Sequence, residues 1–319
     1  LGVICRFIHL IRGELTHFII ISVRQDILNL TAKSEEMEKI NGKTTICAVF
    51  GDPVAHSFSP AIHNAAFQAL GMNCVYIACH VRADRLQDAV QAIRSLDLKG
   101  ANVTIPHKQT VAAYLDELCG DARQSGSVNT IVNRGDRLLG YSTDGLGFVR
   151  SLKEDAGYEP AGKNLLMLGA GGSAAALIYR LIGSGIASLT LINRNFSRAV
   201  NLQERVWLDT RFEIRVKGLE ELEACDLQTA DLLINTTSVG IHDDVSLIPR
   251  NFLHPDLFVY DIVYKRGGTT LVNEAKAAGC RVLTGLSLLL YQGAESFRLW
   301  FETEPPIAAM REALERMLG

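Results

Sequence analysis

Two periodicities alternate along this chain. Short apolar runs mark strands, and apolar residues three or four apart mark helices. The pattern becomes regular from Thr44. Thr45–Phe50 is an apolar strand that breaks at Gly51-Asp52-Pro53. Ser59-Pro60 then opens a helix, with Ser as N-cap and Pro at the first helical position, and Gly71 stops it. Cys74–Cys79 reads as a strand. Arg85–Leu96 carries Leu86, Val90, Ile93 and Leu96 at helical spacing, and Ala101–Ile105 is a strand ended by Pro106. A helix around Val111–Leu118 follows, then a strand Val128–Val132, the turn Arg134-Gly135-Asp136 and a short Leu138-Leu139 strand. This alternation predicts an α/β domain with a largely parallel sheet.

A helix over Gly145–Ala156, punctuated by Gly157 and Pro160, leads into a second series. Its strands fall at 165–168, 189–192, 212–216, 232–235, 257–260 and 281–283, with helices at 173–181, 198–208, 219–224 and 271–278. About six strands with helical crossovers is the count of a doubly wound dinucleotide-binding fold. Ser287–Phe301 and Ile307–Leu318 read as terminal helices.

Residues 1–36 stand apart. Leu1–Val23 is apolar but interrupted by Arg6, Arg12 and Glu14, and Phe18-Ile19-Ile20-Ile21 is too short for a signal-peptide core. No stretch reaches the roughly 18 consecutive apolar residues of a membrane helix. Position 1 is not Met, and Met37 stands just ahead of the first clean strand. Residues 1–36 therefore read as an upstream extension or a wrongly chosen start, with an amphipathic membrane-surface segment as the competing reading.

The chain has 319 residues, which suggests about two domains. With 32 Lys+Arg against 35 Asp+Glu, its net charge of −3 shows neither the basic excess of a nucleic-acid binder nor an acidic tail. Seven scattered cysteines form no C-x-x-C pair and no metal-ligand spacing with the eight histidines. Reduced, mostly buried thiols in a cytoplasmic protein are expected, without a metal or a disulfide framework.

The strongest motif is Leu165-Leu166-Met167-Leu168-Gly169-Ala170-Gly171-Gly172-Ser173-Ala174. A buried strand runs into Gly-x-Gly-x-x-Ala and then a helix, where Gly169 permits the tight turn and Gly171 lets the backbone approach a pyrophosphate. The helix N-terminus adds unpaired N–H donors. Such a loop also simply joins strand to helix in many proteins, but here strand, helix and next strand follow at the right distances. At the end of the second strand an NAD site usually carries Asp or Glu; this chain has Asn193-Arg194-Asn195-Phe196-Ser197-Arg198. Arg194 and Arg198, four apart, are expected to share a helical face and fork around a 2′-phosphate. Two solvated arginines at a helix start are the plainer alternative, though their charge opposes the helix dipole. NADP(H) is favoured over NAD(H).

Polar residues cluster in the loops of the first domain: His56-Ser57-Phe58-Ser59, Asn102 to Lys108, Ser127 to Thr130, and Ser142-Thr143-Asp144-Gly145. Hydroxyls and amides with one lysine and one aspartate suit a small polyhydroxylated acid. Reduction of a ketone by hydride needs a proton donor beside the developing alkoxide, and a lysine oriented by a carboxylate supplies one. Residue chemistry alone leaves other readings open: Ser59 and Asp144 as helix caps, Asn129 as a turn residue, Lys108 facing solvent.

Several blocks resemble the signature segments of the shikimate dehydrogenase family. They are Gly51-Asp52-Pro53-Val54-Ala55-His56-Ser57-Phe58-Ser59-Pro60, Ala101-Asn102-Val103-Thr104-Ile105-Pro106-His107-Lys108, Gly126-Ser127-Val128-Asn129-Thr130 and Ser142-Thr143-Asp144-Gly145. Asn193-Arg194, Asn235-Thr236-Thr237-Ser238 and Tyr260-Asp261-Ile262-Val263-Tyr264 belong to the same set. Order and spacing match from about Thr44 to the C-terminus. The resemblance implies NADPH-dependent reduction of 3-dehydroshikimate to shikimate, a step toward the aromatic amino acids. It places Lys108 and Asp144 as the catalytic pair. Ser57, Ser59, Thr104, Asn129, Asp144, Tyr264 and Gln292 fall on substrate positions, with Ser57 and Ser59 facing the carboxylate. Gly169, Ala170, Gly171, Gly172, Ser173, Asn193 to Arg198, Ile262 and Gly285 fall on cofactor positions. Gln292 on its own reads as a helix-surface amide.

The chain departs from the family pattern at Asn195, where Thr or Ser is usual, at Tyr141-Ser142, at Ser127 in place of Ala, and at Ala175 where Arg is frequent. The implied architecture is an N-terminal α/β substrate domain (37–145), a Rossmann-type NADP-binding domain (146–285) and C-terminal helices (286–319) returning to the first domain. A small-molecule substrate is implied, with no nucleic-acid or membrane partner, and a homodimer stays open. The competing functions are an NAD-dependent quinate/shikimate dehydrogenase and a non-catalytic NADP-binding regulator on the same fold.

Overall fold

A computed structural model of the chain describes residues 40–135 and 137–318, so the reading of residues 1–36 as an extension lies outside the described residues. Ahead of the first strand, the Asn41 amide N–H donates to Thr44 Oγ1 at 2.8 Å in a short turn. Two six-stranded sheets follow. The first contains β1 (Thr45–Gly51), β2 (Cys74–His80), β3 (Gly100–Val103), β4 (Glu117–Leu118), β5 (Thr130–Arg134) and β6 (Arg137–Tyr141), in the order β2-β1-β3-β5-β6-β4. It is mixed, not largely parallel as expected. β1 pairs parallel with β3, but β5 runs antiparallel to both β3 and β6. The cause is local: β5 and β6 are joined by a turn too short for a crossover, which forces a hairpin.

Helices α1 (Ser59–Ala69) and α2 (Leu86–Ser95) lie where the periodicity placed them. At the start of α1 the expected cap is corrected. Ser59 is already the first helical residue, and Phe58 precedes it without a side-chain cap. Ser57 Oγ instead accepts the Ser59 amide at 3.3 Å, so the Ser59 hydroxyl is not spent on capping. The helix expected over Val111–Leu118 is a 3-10 turn, Thr110–Tyr114, followed by β4, which pairs parallel with β6. Pairing wins there because the Leu138 amide donates to Asp116 Oδ2 (2.6 Å) and the Asp116 amide to the Leu138 carbonyl (3.0 Å). A short helix α3 (Asp121–Ser125) has no counterpart in the sequence reading.

The helix α4 (Asp144–Ala156) leads to the second sheet: β7 (Asn164–Leu168), β8 (Ser188–Asn193), β9 (Ile214–Gly218), β10 (Leu232–Asn235), β11 (Phe258–Asp261) and β12 (Arg281–Thr284). The order β12-β11-β10-β7-β8-β9 is parallel throughout, the doubly wound arrangement with its switch point between β7 and β10. Helices α5 (Gly172–Gly183), α6 (Phe196–Thr210), α7 (Ala224–Gln228) and α8 (Thr270–Ala277) form the crossovers. The helix expected over 219–224 is split into a 3-10 turn, Leu219–Glu221, and α7. Two carboxylates cut it: Glu221 accepts the Gly218 amide (2.7 Å) and Asp226 the Glu223 amide (2.9 Å). Strands β7 and β10 are apolar and buried on both faces, as a covered parallel sheet requires.

Finally α9 (Gly285–Phe301) and α10 (Ile307–Leu318) return to the first sheet. Phe297 and Trp300 of α9 pack with Ile62, Phe67 and Tyr76, and Trp300 Nε1 donates to the Ile131 carbonyl at 2.9 Å. α9 also crosses α4 so closely that a Cβ on Gly147 would stand 2.5 Å from the Gln292 backbone nitrogen. Of the six described cysteines only Cys47 and Cys280 are buried, which corrects the expectation of mostly buried thiols. Among the described residues no helix is long and apolar enough to cross a membrane.

Candidate active site

The strand ends of the two sheets face a common cleft, and its centre is Lys108. This residue follows β3 by way of Thr104, and its Nζ donates to Asp144 Oδ2 at 2.5 Å. Asp144 opens α4 directly after β6. Its predecessor Thr143 makes no side-chain cap bond, and the carboxylate does not cap the helix but faces Lys108. Asp144 side-chain exposure is 5% and that of Lys108 is 16%, so the carboxylate is sealed while the ammonium keeps an opening. Across the cleft, Lys108 Nζ also reaches Ser173 Oγ in the first turn of α5, at 3.4 Å.

An amide network holds the carboxylate. Asn129 Nδ2 donates to Asp144 Oδ1 (2.8 Å), Thr143 Oγ1 (2.8 Å) and Gln292 Oε1 (3.0 Å), and Asn129 Oδ1 accepts the Thr143 amide N–H (2.8 Å). Asn129 is therefore a hub, and Gln292 is buried, not a surface amide. Behind them Asn102 Nδ2 donates to Ser296 Oγ (3.0 Å) and Thr130 Oγ1 (3.1 Å), and Tyr76 donates to Asn102 Oδ1 (2.7 Å). Satisfied buried networks of this kind rigidify what they hold.

Ser57, Ser59, Thr104, Lys108, Asn129, Asp144, Tyr264 and Gln292 all line one cavity of about 190 Å³. Burial pushes the Tyr264 phenol up, outweighing its hydrogen bonds with the Phe58 backbone and Ser57, so it stays a neutral hydroxyl. Its ring packs against Phe58 at 5.2 Å between centroids. Ile262 and Gly285, expected at the cofactor, line this same cavity.

A second cavity of about 540 Å³ opens from the first, within the usual range for a ligand cleft. Gly169, Ala170, Gly171, Gly172, Ser173, Asn193, Arg194 and Arg198 line it, whereas Asn195, Phe196 and Ser197 do not. Asn195 is used as the cap of α6, its Oδ1 accepting the Arg198 amide at 3.1 Å. Because α6 begins at Phe196, Arg194 lies in the preceding turn, so the two arginines do not share a helical face as expected. They still border one cleft, and Arg198 Nη2 reaches Gln109 Oε1 on its other wall at 3.3 Å.

The residues present fit an NADP dinucleotide. Gly169 holds φ +101°, and a Cβ there would meet Thr236 Oγ1 at 2.7 Å. Gly171 has open space where a side chain would stand, and the first turn of α5 carries no acidic residue. The β8 end offers Asn193 and Arg194, a donor set for a phosphate and not for ribose hydroxyls alone. Among the described residues no group of His, Cys, Asp or Glu is placed to hold a metal ion.

The sequence reading counted Asn102 in its polar cluster without giving it a role, and it left Thr236 and Thr237 out of the site although they stand in a block it quoted. Thr236 and Thr237 line both cavities. Asn235, next to them, donates to the buried Asp261 (2.9 Å), which also accepts from Thr269 (2.6 Å). That interlock ties β10 to β11 below the cleft. The departures at Ser127 and Ser142 bury hydroxyls with no hydrogen-bond partner.

Three family models match in chain order: a shikimate dehydrogenase substrate binding domain over residues 49–131, a shikimate/quinate 5-dehydrogenase over 152–242 and a shikimate 5'-dehydrogenase C-terminal domain over 285–315. The chain is 41% identical over 286 residues to a shikimate dehydrogenase (NADP(+)) of Desulforamulus reducens, covering 88% of this chain and 98% of that one. It is 43% identical over 272 residues to the Pyrococcus furiosus protein of the same description, covering 85% and 96%. It superposes with a TM-score of 0.77 on the shikimate 5-dehydrogenase of Thermus thermophilus solved with NADP(H) and shikimate, at 36% identity and covering 86% and 100%.

Proposed function

The chain belongs to the shikimate dehydrogenase family, and from that membership we propose that Lys108 and Asp144 carry its reaction. The reaction is the NADP(H)-dependent, reversible reduction of 3-dehydroshikimate to shikimate. Bound NADPH supplies the hydride. Everything else falls to side chains already placed. Lys108 donates the proton that turns the carbonyl oxygen into a hydroxyl, and in the reverse direction it takes that proton back. Asp144 fixes the ammonium in position and offers its second oxygen toward a substrate hydroxyl, with Asn129 and Gln292 holding its plane. Ser57, Ser59 and Thr104 bind and orient the substrate carboxylate and hydroxyls, with the neutral Tyr264 phenol beside them. Arg194 and Arg198, with the N-terminal amides of α5, hold the cofactor phosphates.

One observation carries the reading: Lys108 lines both cavities, so its ammonium sits where substrate and cofactor sites meet. The test follows the loss of NADPH absorbance with 3-dehydroshikimate, beside NADH and quinate controls. Turnover with NADPH and dehydroshikimate supports it. Preference for NADH with quinate, or binding of dehydroshikimate without NADPH oxidation, would sink it.

A further inference from the structure

Beside the cofactor cleft lies a smaller cavity of about 210 Å³ that the functional reading does not use. It shares Gln109, Ala170, Gly171 and Arg198 with the cleft and adds Ala175 and Arg205 to its lining. Arg205 lies two turns beyond Arg198 on α6, on the same helical face, so both guanidinium groups turn toward this space. No carboxylate is among the residues lining it. Ala175, one turn into α5, presents only a methyl group there.

Arg205 itself is incompletely satisfied. Its Nε is buried and has no hydrogen-bond partner. An orphan guanidinium N–H costs desolvation that nothing returns, unless a ligand supplies the acceptor. The Tyr179 hydroxyl beside the guanidinium donates to Asp209 at 2.5 Å and accepts a hydrogen bond from Arg205, so part of the guanidinium is already paired within the chain. A Cβ on Gly126, just after α3, would stand 3.4 Å from Arg205 Nη1. Arg205 thus spans toward the first lobe as Arg198 does toward Gln109, at the edge of the dinucleotide site.

We infer that Arg205 joins Arg198 in a phosphate subsite for the cofactor, its guanidinium donating from the cavity wall to a phosphate oxygen of the dinucleotide. This rests on the NADP(H) reading above. Two forked cations flanking a cavity beside a helix N-terminus match the charge and geometry of a phosphate group. That phosphate is either the adenosine 2′-phosphate or the pyrophosphate, and both present the same chemistry.

Calorimetric titration of the purified protein with NADP+ and with NAD+ separates the sources without an activity readout. Replacing Arg205→Met is expected to weaken NADP+ binding roughly ten- to a hundredfold, the range of a lost charge-assisted bond. If NAD+ binding is unchanged, the subsite takes the 2′-phosphate; if both weaken alike, it takes the pyrophosphate. Arg205→Lys keeps the aliphatic stem and the charge but loses the fork, so its NADP+ affinity falls between, and this arm decides should the Met variant fail to fold. Variants that bind NADP+ within about twofold of the unaltered chain overturn the inference. An unaltered chain that fails to bind NADP+ would overturn the functional reading instead.

Discussion

Converting Asp144→Asn removes a charge and almost nothing else. The asparagine is isosteric, and its Oδ1 still accepts from Asn129 Nδ2, now at 2.8 Å. Its NH2, however, points a donor at the Lys108 ammonium, where a carboxylate oxygen stands at 2.5 Å. Breaking a buried ion pair by removing one partner costs about 3–5 kcal/mol when the other charge is stranded. Lys108 keeps 16% of its side-chain surface open to the cavity, so water restores part of that, and about 1–3 kcal/mol of stability should be lost. At about 2–4 °C per kcal/mol, a fall in Tm of a few degrees is expected. The rate should suffer more, because a misdirected ammonium is a poor proton donor: roughly 10²–10⁴-fold in kcat. Lys108→Met should lose a similar factor while still binding NADP+. The decisive measurement is the double variant. If the two side chains act as one device, Lys108→Met with Asp144→Asn is hardly slower than either alone. Losses that multiply, or a kcat for Asp144→Asn within about threefold of the unaltered enzyme, would refute the pairing.

Three further outcomes are expected. Gly147→Ala would press a Cβ to 2.5 Å from the Gln292 backbone nitrogen and force α9 off α4, costing about 1–3 kcal/mol by thermal unfolding and raising KM for the substrate through Gln292. An unchanged Tm would show that the helices have room to spare. Asp155 is raised by burial, but hydrogen bonds from Arg311, Ser287 and Tyr291 outweigh this and hold its carboxyl below the ordinary value of 3.8. Its contribution is therefore complete above the carboxyl range and lost as pH falls below about 4. Asp155→Asn should be less stable by about 1–2 kcal/mol at neutral pH, a gap in urea unfolding that closes in acid; a gap constant down to pH 2 contradicts the sign. Arg194→Gln should raise KM for NADPH roughly tenfold or more and leave KM for NADH alone, and equal effects on both would move Arg194 away from the 2′-phosphate.

What was legible along the chain follows from what is local. Strand β10 was read at its observed bounds, Leu232–Asn235, because a strand buried on both faces is a continuous apolar run between polar residues. The Gly169–Ser173 loop was legible because turn, close approach and helix start are adjacent in the chain. Lys108, Asp144 and the hydroxyls were visible as residue types in loops at strand ends. Their roles came from the pattern of blocks, since each loop residue taken singly has a structural use as well.

Pairing across distance was not legible. The first sheet became mixed because β5 and β6 fold back on one another, and residues 116–118 joined β6 in place of extending a helix. Residue chemistry alone leaves Asn129 open as a turn residue and reads Gln292 as a helix-surface amide, and only the family resemblance puts both at the substrate; they meet at 3.0 Å although 163 positions apart. That meeting requires α9 to cross α4 at a glycine. Side-chain period records which face of an element is apolar. It carries no information about which distant amide will stand opposite, because the partner is chosen by how helices and sheets pack once the chain has closed on itself.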